Sequence, residues 1–131
     1  MSRLAAALAA LLAMGAAAPA AAYLADNGLP VVRAADGTIL VGARGGAAGR
    51  DFFCAAGDYA RRLGAAPGSQ VILLARPAPA AVFNGARTAR FAVRASGGRG
   101  TLLTVRTRPG ESMSVAHAYQ LCAMDRLLDL R

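Results

Sequence analysis

An apolar run, Ile39-Leu40-Val41, follows the dipeptide Asp36-Gly37 and predicts a strand. Ile39 and Val41 fall on one face of this strand. Because Asp-Gly favours tight turns with positive φ, residues 30–43 are predicted to form a β-hairpin.

Three further segments have strand character. Residues 71–75 are a continuous apolar run bounded by Gly68 and Pro77, as expected of a strand that is buried on both faces. Residues 88–95 and 101–107 alternate in hydrophobicity around a glycine-rich loop, and we expect them to pair as a second hairpin.

A helical spacing replaces this alternation over residues 51–63. The apolar stripe of the predicted helix consists of Phe52, Ala56, Tyr59 and Leu63. Asp51 is predicted to cap its first turn and Gly64 to end it. Gly57 lies in mid-helix, where glycine costs about 1 kcal/mol relative to alanine, so we expect another backbone to pass close to it.

The C-terminal segment allows two interpretations. Large and small side chains alternate over residues 113–119, which favours a strand to Tyr119 followed by a short helix to Leu128, while a continuous helix is the alternative. Together these patterns predict an α+β domain. A small antiparallel sheet of about five to six strands would pack on the main helix, 51–63, with a short C-terminal helix beside it.

Residues 1–22 have the composition of a secretory signal peptide. Arg3 precedes an apolar run, and Ala20 and Ala22 provide the small side chains that signal peptidase requires. Cleavage after Ala22 would leave residues 23–131 as one exported domain with no transmembrane segment. No cysteine lies near the cleavage site and only one arginine precedes the run. We therefore expect the general secretory route, to the periplasm or the outside of the cell.

The chain has two cysteines, Cys54 and Cys122. In an exported protein an even number of cysteines predicts a disulfide. Because Cys54 points away from the apolar stripe, the bridge would hold the C-terminal segment against a second face of helix 51–63. The competing hypothesis is a free, reactive Cys54, oriented by Asp58 and with His117 as its base.

Arginine provides all 15 basic residues, against 7 acids, and the net charge is +8. A charge of this size attracts acidic proteins and anionic polymers. Arg90 and Arg94, with Arg106 across the second predicted hairpin, form a candidate anion-binding site on the open face of the sheet. The aromatic residue between Arg90 and Arg94, Phe91, is predicted to face inward and would not be available for base stacking, so nucleic acid is not expected as a partner.

The remaining motifs predict no metal, cofactor or catalytic set. The glycine-rich loop 42–50 lacks the GxGxxG and Gly-Lys-Ser/Thr patterns, and Asp51 would place a negative charge where a phosphate would bind. The only histidine, His117, has no cluster of acids around it to complete a metal site. Asp58 is interpreted as the partner of Arg61 or Arg62 in an ion pair on the helix surface.

The segment Asp51-Phe-Phe-Cys-Ala-Ala-Gly-Asp-Tyr-Ala60 resembles the aromatic-Cys-Ala-Ala-Gly-Asp-Tyr box of a group of small exported bacterial proteins. The similarity spans residues 29–122, with Phe52-Phe53 where the group has Tyr-Trp, and it implies a shared fold but no particular chemistry. The sequence predicts a non-catalytic binding or structural module whose basic surface takes an acidic envelope protein or an anionic polymer. A thiol-dependent or redox protein using Cys54 is the alternative.

Overall fold

The computed structural model describes residues 22–100 and 105–129. The predicted leader therefore lies outside the described residues, apart from Ala22. In chain order the strands are β1 (Tyr23–Leu24), β2 (Pro30–Arg33), β3 (Ile39–Gly42), β4 (Gln70–Pro79), β5 (Arg87–Arg94), β6 (Arg99–Gly100) and β7 (Glu111–Ser114). The helices are α1 (Gly49–Arg62) and α2 (Val115–Asp129), with a 3-10 turn at Ala81–Phe83.

The strands form a single seven-stranded sheet in the order β1-β2-β3-β5-β4-β7-β6. All neighbours are antiparallel except β6 and β7, which run parallel. The predicted α+β class is confirmed, with one main helix on the sheet. The sheet has more strands than the pattern predicted. The additional strands, β1 and β6, are only two residues long and lie at its two edges.

The predicted hairpin at 30–43 is confirmed as β2 and β3. Asp36 closes its turn, because its Oδ1 accepts hydrogen bonds from the backbone N–H of Thr38 at 3.0 Å and from the Thr38 hydroxyl at 2.7 Å. Gly37 has a φ of 85°, which L side chains rarely adopt.

The second hairpin was predicted to pair residues 88–95 with residues 101–107, and this pairing is wrong. β5 lies between β3 and β4, where Phe91 is opposite both Ile39 and Leu73. Of the proposed partner strand, residues 101–104 lie outside the described part and 105–107 are not in a strand. The sequence pattern identified β5 correctly but could not say which of the strands distant in sequence would pair with it.

The predicted strand at 71–75 is confirmed within β4, and Val71, Ile72 and Leu73 are all buried. The strand continues beyond its predicted end at residue 75, through Pro77 to Pro79. Since β7 pairs with β4 only over residues 70–72, Pro77 and Pro79 lie in a part of β4 that, among the described strands, pairs with β5 alone, and prolines in sheets are found at such edge positions.

Helix α1 begins two residues before its predicted start, and Asp51 is in its first turn rather than at the N-cap. The carboxylate of Asp51 reaches back and accepts the backbone N–H of Ala48 at 2.7 Å. At the other end, Gly64 has a φ of 86° and donates its N–H to the Arg61 carbonyl, while Ala65 donates to the Ala60 carbonyl. The predicted stop at Gly64 is confirmed by this pair of bonds.

Of the two interpretations of the C-terminal segment, the predicted strand to Tyr119 is wrong. β7 ends at Ser114 and α2 begins at Val115. Ser114 ends the strand, because its hydroxyl accepts the backbone N–H of His117 at 3.1 Å and so caps the new helix. The propensity of the following residues then carries the helix to Asp129.

The core lies between α1 and the sheet, and Phe52, Phe53 and Phe91 are its largest fully buried side chains. The rings of Phe53 and Phe91 meet edge to face with centroids 5.0 Å apart. Helix α2 packs along α1 in the opposite direction. No helix among residues 22–100 and 105–129 is both long and apolar enough to cross a lipid bilayer.

Candidate anion-binding cleft

The two helices are joined by the predicted disulfide. Cys54 of α1 and Cys122 of α2 are bonded at an S–S distance of 2.01 Å, and both are buried. Since these are the only cysteines of the chain, neither has a free thiol in the bridged protein. The bridge fixes the second half of α2 beside the first turns of α1, and a cleft opens there.

This cleft has a volume of about 420 Å³. Its walls are the loop after β1, the glycine-rich loop before α1, and the last turns of α2. Its charged lining consists of Arg44, Arg50, Arg126, Asp26 and Asp51. We refer to it as the arginine cleft.

A buried carboxylate holds the first wall in place. Asp58 of α1, only 5% exposed, accepts the Tyr23 hydroxyl at 2.9 Å and the backbone N–H of Asp26 at 3.0 Å. The sequence interpretation of Asp58 as half of a surface ion pair is corrected by these contacts. Arg61 and Arg62 instead lie over the rings of Tyr119 and Tyr23, at 3.8 and 4.7 Å from the centroids.

Both acids of the cleft are engaged within the protein. Asp51 holds the Ala48 N–H, and its backbone carbonyl accepts the side-chain amide of Asn27 at 2.8 Å. The Asp26 carboxylate pairs with Arg126 at 2.9 Å across the cleft, between the first wall and α2. Because Asp51 occupies the helix end, an anion would be met here by guanidinium groups rather than by the amides of the first turn.

A further arginine approaches the same loop. Arg87 of β5 donates to the Ala47 carbonyl, and its guanidinium lies 5.5 Å from the centre of the Phe52 ring. The segment that contains Arg106 passes the first turn of α1, where a Cβ built on Gly49 would lie 2.9 Å from the Val105 carbonyl oxygen. The arginines around the loop are Arg44, Arg50, Arg87 and Arg126.

The three arginines that were predicted to share one face of the sheet, Arg90, Arg94 and Arg106, do not lie together in the structure. Arg90 is on the open face, where its Nη1 donates to the Thr38 hydroxyl at 2.8 Å and pairs with Asp36 at 3.4 Å. The hydrogen bonds from Thr38, and then the charge of Arg90, lower the pKa of Asp36. Arg94 is exposed at the end of β5, opposite Gln70, while Arg106 belongs to the segment beside α1.

Comparisons with protein families, with curated proteins and with solved structures find no match to this chain. The assignment therefore rests on the geometry alone.

Sequence reasoning missed Arg44, Arg50, Arg87 and Arg126 as members of one cluster. Arg44 and Arg50 carried a local signal, because they flank the glycine-rich loop immediately before the helix. Arg87 and Arg126 carried no local signal, because they are distant from the loop in sequence and reach it only through the order of the strands and the packing of the two helices.

His117 is exposed at the start of α2. No group of three or more potential metal ligands occurs in the part of the chain that the structure describes.

Proposed function

We propose that this protein is an exported, disulfide-stabilised binding module without catalytic activity, and that it takes an anionic ligand in the arginine cleft. One observation carries the proposal: four arginines surround the loop before α1, Arg44, Arg50, Arg87 and Arg126, against two carboxylates, those of Asp26 and Asp51. This excess of positive charge favours a negatively charged partner.

The character of the ligand follows from the guanidinium group. Its planar fork matches phosphate and carboxylate oxygens and binds them by charge-assisted hydrogen bonds. Since the arginines surround an open cleft and do not converge on one point, a partner with several anionic groups fits better than a single small ion. An anionic envelope polymer or an acidic protein has that character.

Export is supported by two features that are independent of each other. The first 22 residues have the pattern of a cleavable leader. The bridge between Cys54 and Cys122 is of the kind that persists in oxidising compartments. We propose the periplasm or the cell exterior as the site of action. The alternative of a thiol-dependent protein would require a reduced Cys54.

Heparin is a suitable first probe, with the oxidised chain 23–131 as the protein. Arg44→Gln combined with Arg50→Gln should raise the dissociation constant about tenfold, which corresponds to about 1.4 kcal/mol. Arg76→Gln combined with Arg94→Gln removes the same charge away from the cleft and should change it about twofold or less. The thermal midpoint of each variant checks that the fold is intact.

Two outcomes would overturn the assignment. Equal weakening by both double variants would mean that net charge alone governs binding. Binding that does not weaken with added salt would exclude an electrostatic site, since ions screen exposed charges within about 8 Å at physiological ionic strength.

A further inference from the structure

The ion pair between Asp26 and Arg126 joins two sides of the arginine cleft. Its oxygen and nitrogen are 2.9 Å apart, and both residues line the cleft. Arg126 is the only arginine of α2, with Asp125 before it and Asp129 after it in sequence. It is therefore the only guanidinium that this helix can offer to an anion, and in the structure Asp26 holds it.

Asp26 is fixed in place by backbone hydrogen bonds. Its N–H donates to the buried carboxylate of Asp58 on α1. The adjacent Ala25 donates its N–H to the Leu29 carbonyl at 3.0 Å, which closes the turn that contains Asp26. The Asp26 carboxylate is thus presented to the cleft from a fixed position, whereas the long side chain of Arg126 has many rotamers and can turn toward another anion.

The pair is open to solvent on both sides. The side chain of Arg126 is 59% exposed and that of Asp26 is 36% exposed. Ion pairs with this exposure contribute little to stability, because both charged groups are hydrated when they separate. An anion that enters the cleft can therefore replace Asp26 as the partner of Arg126 at a small cost.

We infer that the Asp26 carboxylate is an internal competitor in the arginine cleft: it occupies Arg126, and an anionic ligand gains this guanidinium only by displacing it. The inference rests on the proposed anion site and describes how that site is regulated. In the bound state Arg126 turns to the ligand, and the Asp26 carboxylate is left to solvent.

This competition favours ligands with several anionic groups. A ligand with one such group exchanges one ion pair for another and gains little. A polyanion also contacts Arg44 and Arg50, which line the same cleft. Once it is held there, its next group meets Arg126 at a high effective concentration and can compete with the tethered carboxylate of Asp26.

The test measures heparin binding by the oxidised chain 23–131. Asp26→Asn removes the competing charge, so binding should tighten about fivefold, which is the upper value of an exposed ion pair. Asp51→Asn is the matched control, because it removes the same charge from the same cleft without releasing a guanidinium. Its amide oxygen can still accept the Ala48 N–H. We expect Asp51→Asn to change the dissociation constant about twofold or less.

A second pair of variants identifies the group that provides the gain. Arg126→Gln added to Asp26→Asn should return the affinity to within about twofold of the wild type, because no guanidinium remains to be released. Arg94→Gln added to Asp26→Asn removes the same charge at the exposed end of β5 and should keep most of the gain. The thermal midpoint of each variant checks that the fold is intact.

The outcomes separate this inference from the anion site itself. Equal tightening by Asp26→Asn and Asp51→Asn, or a gain that survives Arg126→Gln, would overturn the competition. So would an unchanged affinity in Asp26→Asn, and the anion site would then still stand if the Arg44 and Arg50 double variant binds heparin more weakly. If neither the wild type nor Asp26→Asn binds heparin, both the competition and the anion site are overturned.

Discussion

Gly57 of α1 faces Ala118 of α2 so closely that a Cβ built on Gly57 would lie 2.6 Å from the Cβ of Ala118 and 2.9 Å from the backbone nitrogen of Tyr119. The helices can approach to this distance only because position 57 has no side chain. The glycine that weakens α1 as an isolated helix is therefore what allows the two helices to pack.

Replacing Gly57 with alanine should destabilise the protein despite the better helix propensity of alanine. The propensity gain is about 1 kcal/mol, but the added methyl meets backbone and a Cβ, which cannot swing aside. Overpacking of this kind costs about 1–3 kcal/mol and requires α2 to shift. Urea unfolding should show a lower free energy for Gly57→Ala. Gly68→Ala, at an open position, is the matched control and should stay within about 0.5 kcal/mol. A Gly57→Ala variant as stable as the wild type would contradict the close approach.

The disulfide should contribute strongly to stability. It joins residues separated by 68 positions, and closing a loop of that length restricts the unfolded chain by about 4 kcal/mol in the chain-entropy account. Cys54→Ala combined with Cys122→Ala should lower the free energy of unfolding by a few kcal/mol. The unfolded chain is no longer restricted, and the packing of two buried sulfurs is lost as well. Unfolding in urea measures this. Mass spectrometry after alkylation under denaturing, non-reducing conditions should find no modified cysteine, and labelling of Cys54 would revive the thiol hypothesis.

The predictions from sequence were correct for features set by a local residue type or by a single pairing, and wrong for features that depend on the order of strands in the sheet. The first hairpin, the stop at Gly64, the disulfide and the backbone passing Gly57 were all predictable, because each depends on a local residue type or on a single pairing. Arg106 shows what was not predictable. Its local pattern is that of a strand, but its position depends on β5 pairing with β3 and β4, which the sequence pattern does not encode. For the same reason the proposed anion site lies at the start of α1 and not on the sheet face.

Ser114 was a local signal for the start of a helix, but the alternation of large and small side chains around it predicted a strand instead. Met113 and Val115 on either side suggested that the strand continued, whereas the serine hydroxyl caps α2. Ser114→Ala should cost about 1 kcal/mol, since it leaves the His117 N–H without its partner. Ser96→Ala, at an exposed position outside helices and strands, is the control. Thermal unfolding should separate the two variants, and identical midpoints would remove the cap from the explanation of where α2 begins.

Tyr23 should make the stability of the protein depend on alkaline pH. Burial, and then the hydrogen bond to the Asp58 carboxylate, raise the pKa of the Tyr23 hydroxyl above its ordinary value of 10.0. A group with a raised pKa in the folded state stabilises the protein fully below its unfolded pKa, and this contribution is lost as the pH rises through the folded value.

The free energy of unfolding should therefore fall as the pH rises above about 10, and part of that fall should be absent in Tyr23→Phe. At neutral pH the same variant should be less stable by about 1–2 kcal/mol, because the buried Asp58 loses a donor and keeps only the Asp26 N–H. Urea titrations of both proteins at neutral pH and at several alkaline pH values measure the two effects. The stability difference between them should narrow as the pH rises. A constant difference across the alkaline range would show that the hydroxyl does not donate to Asp58.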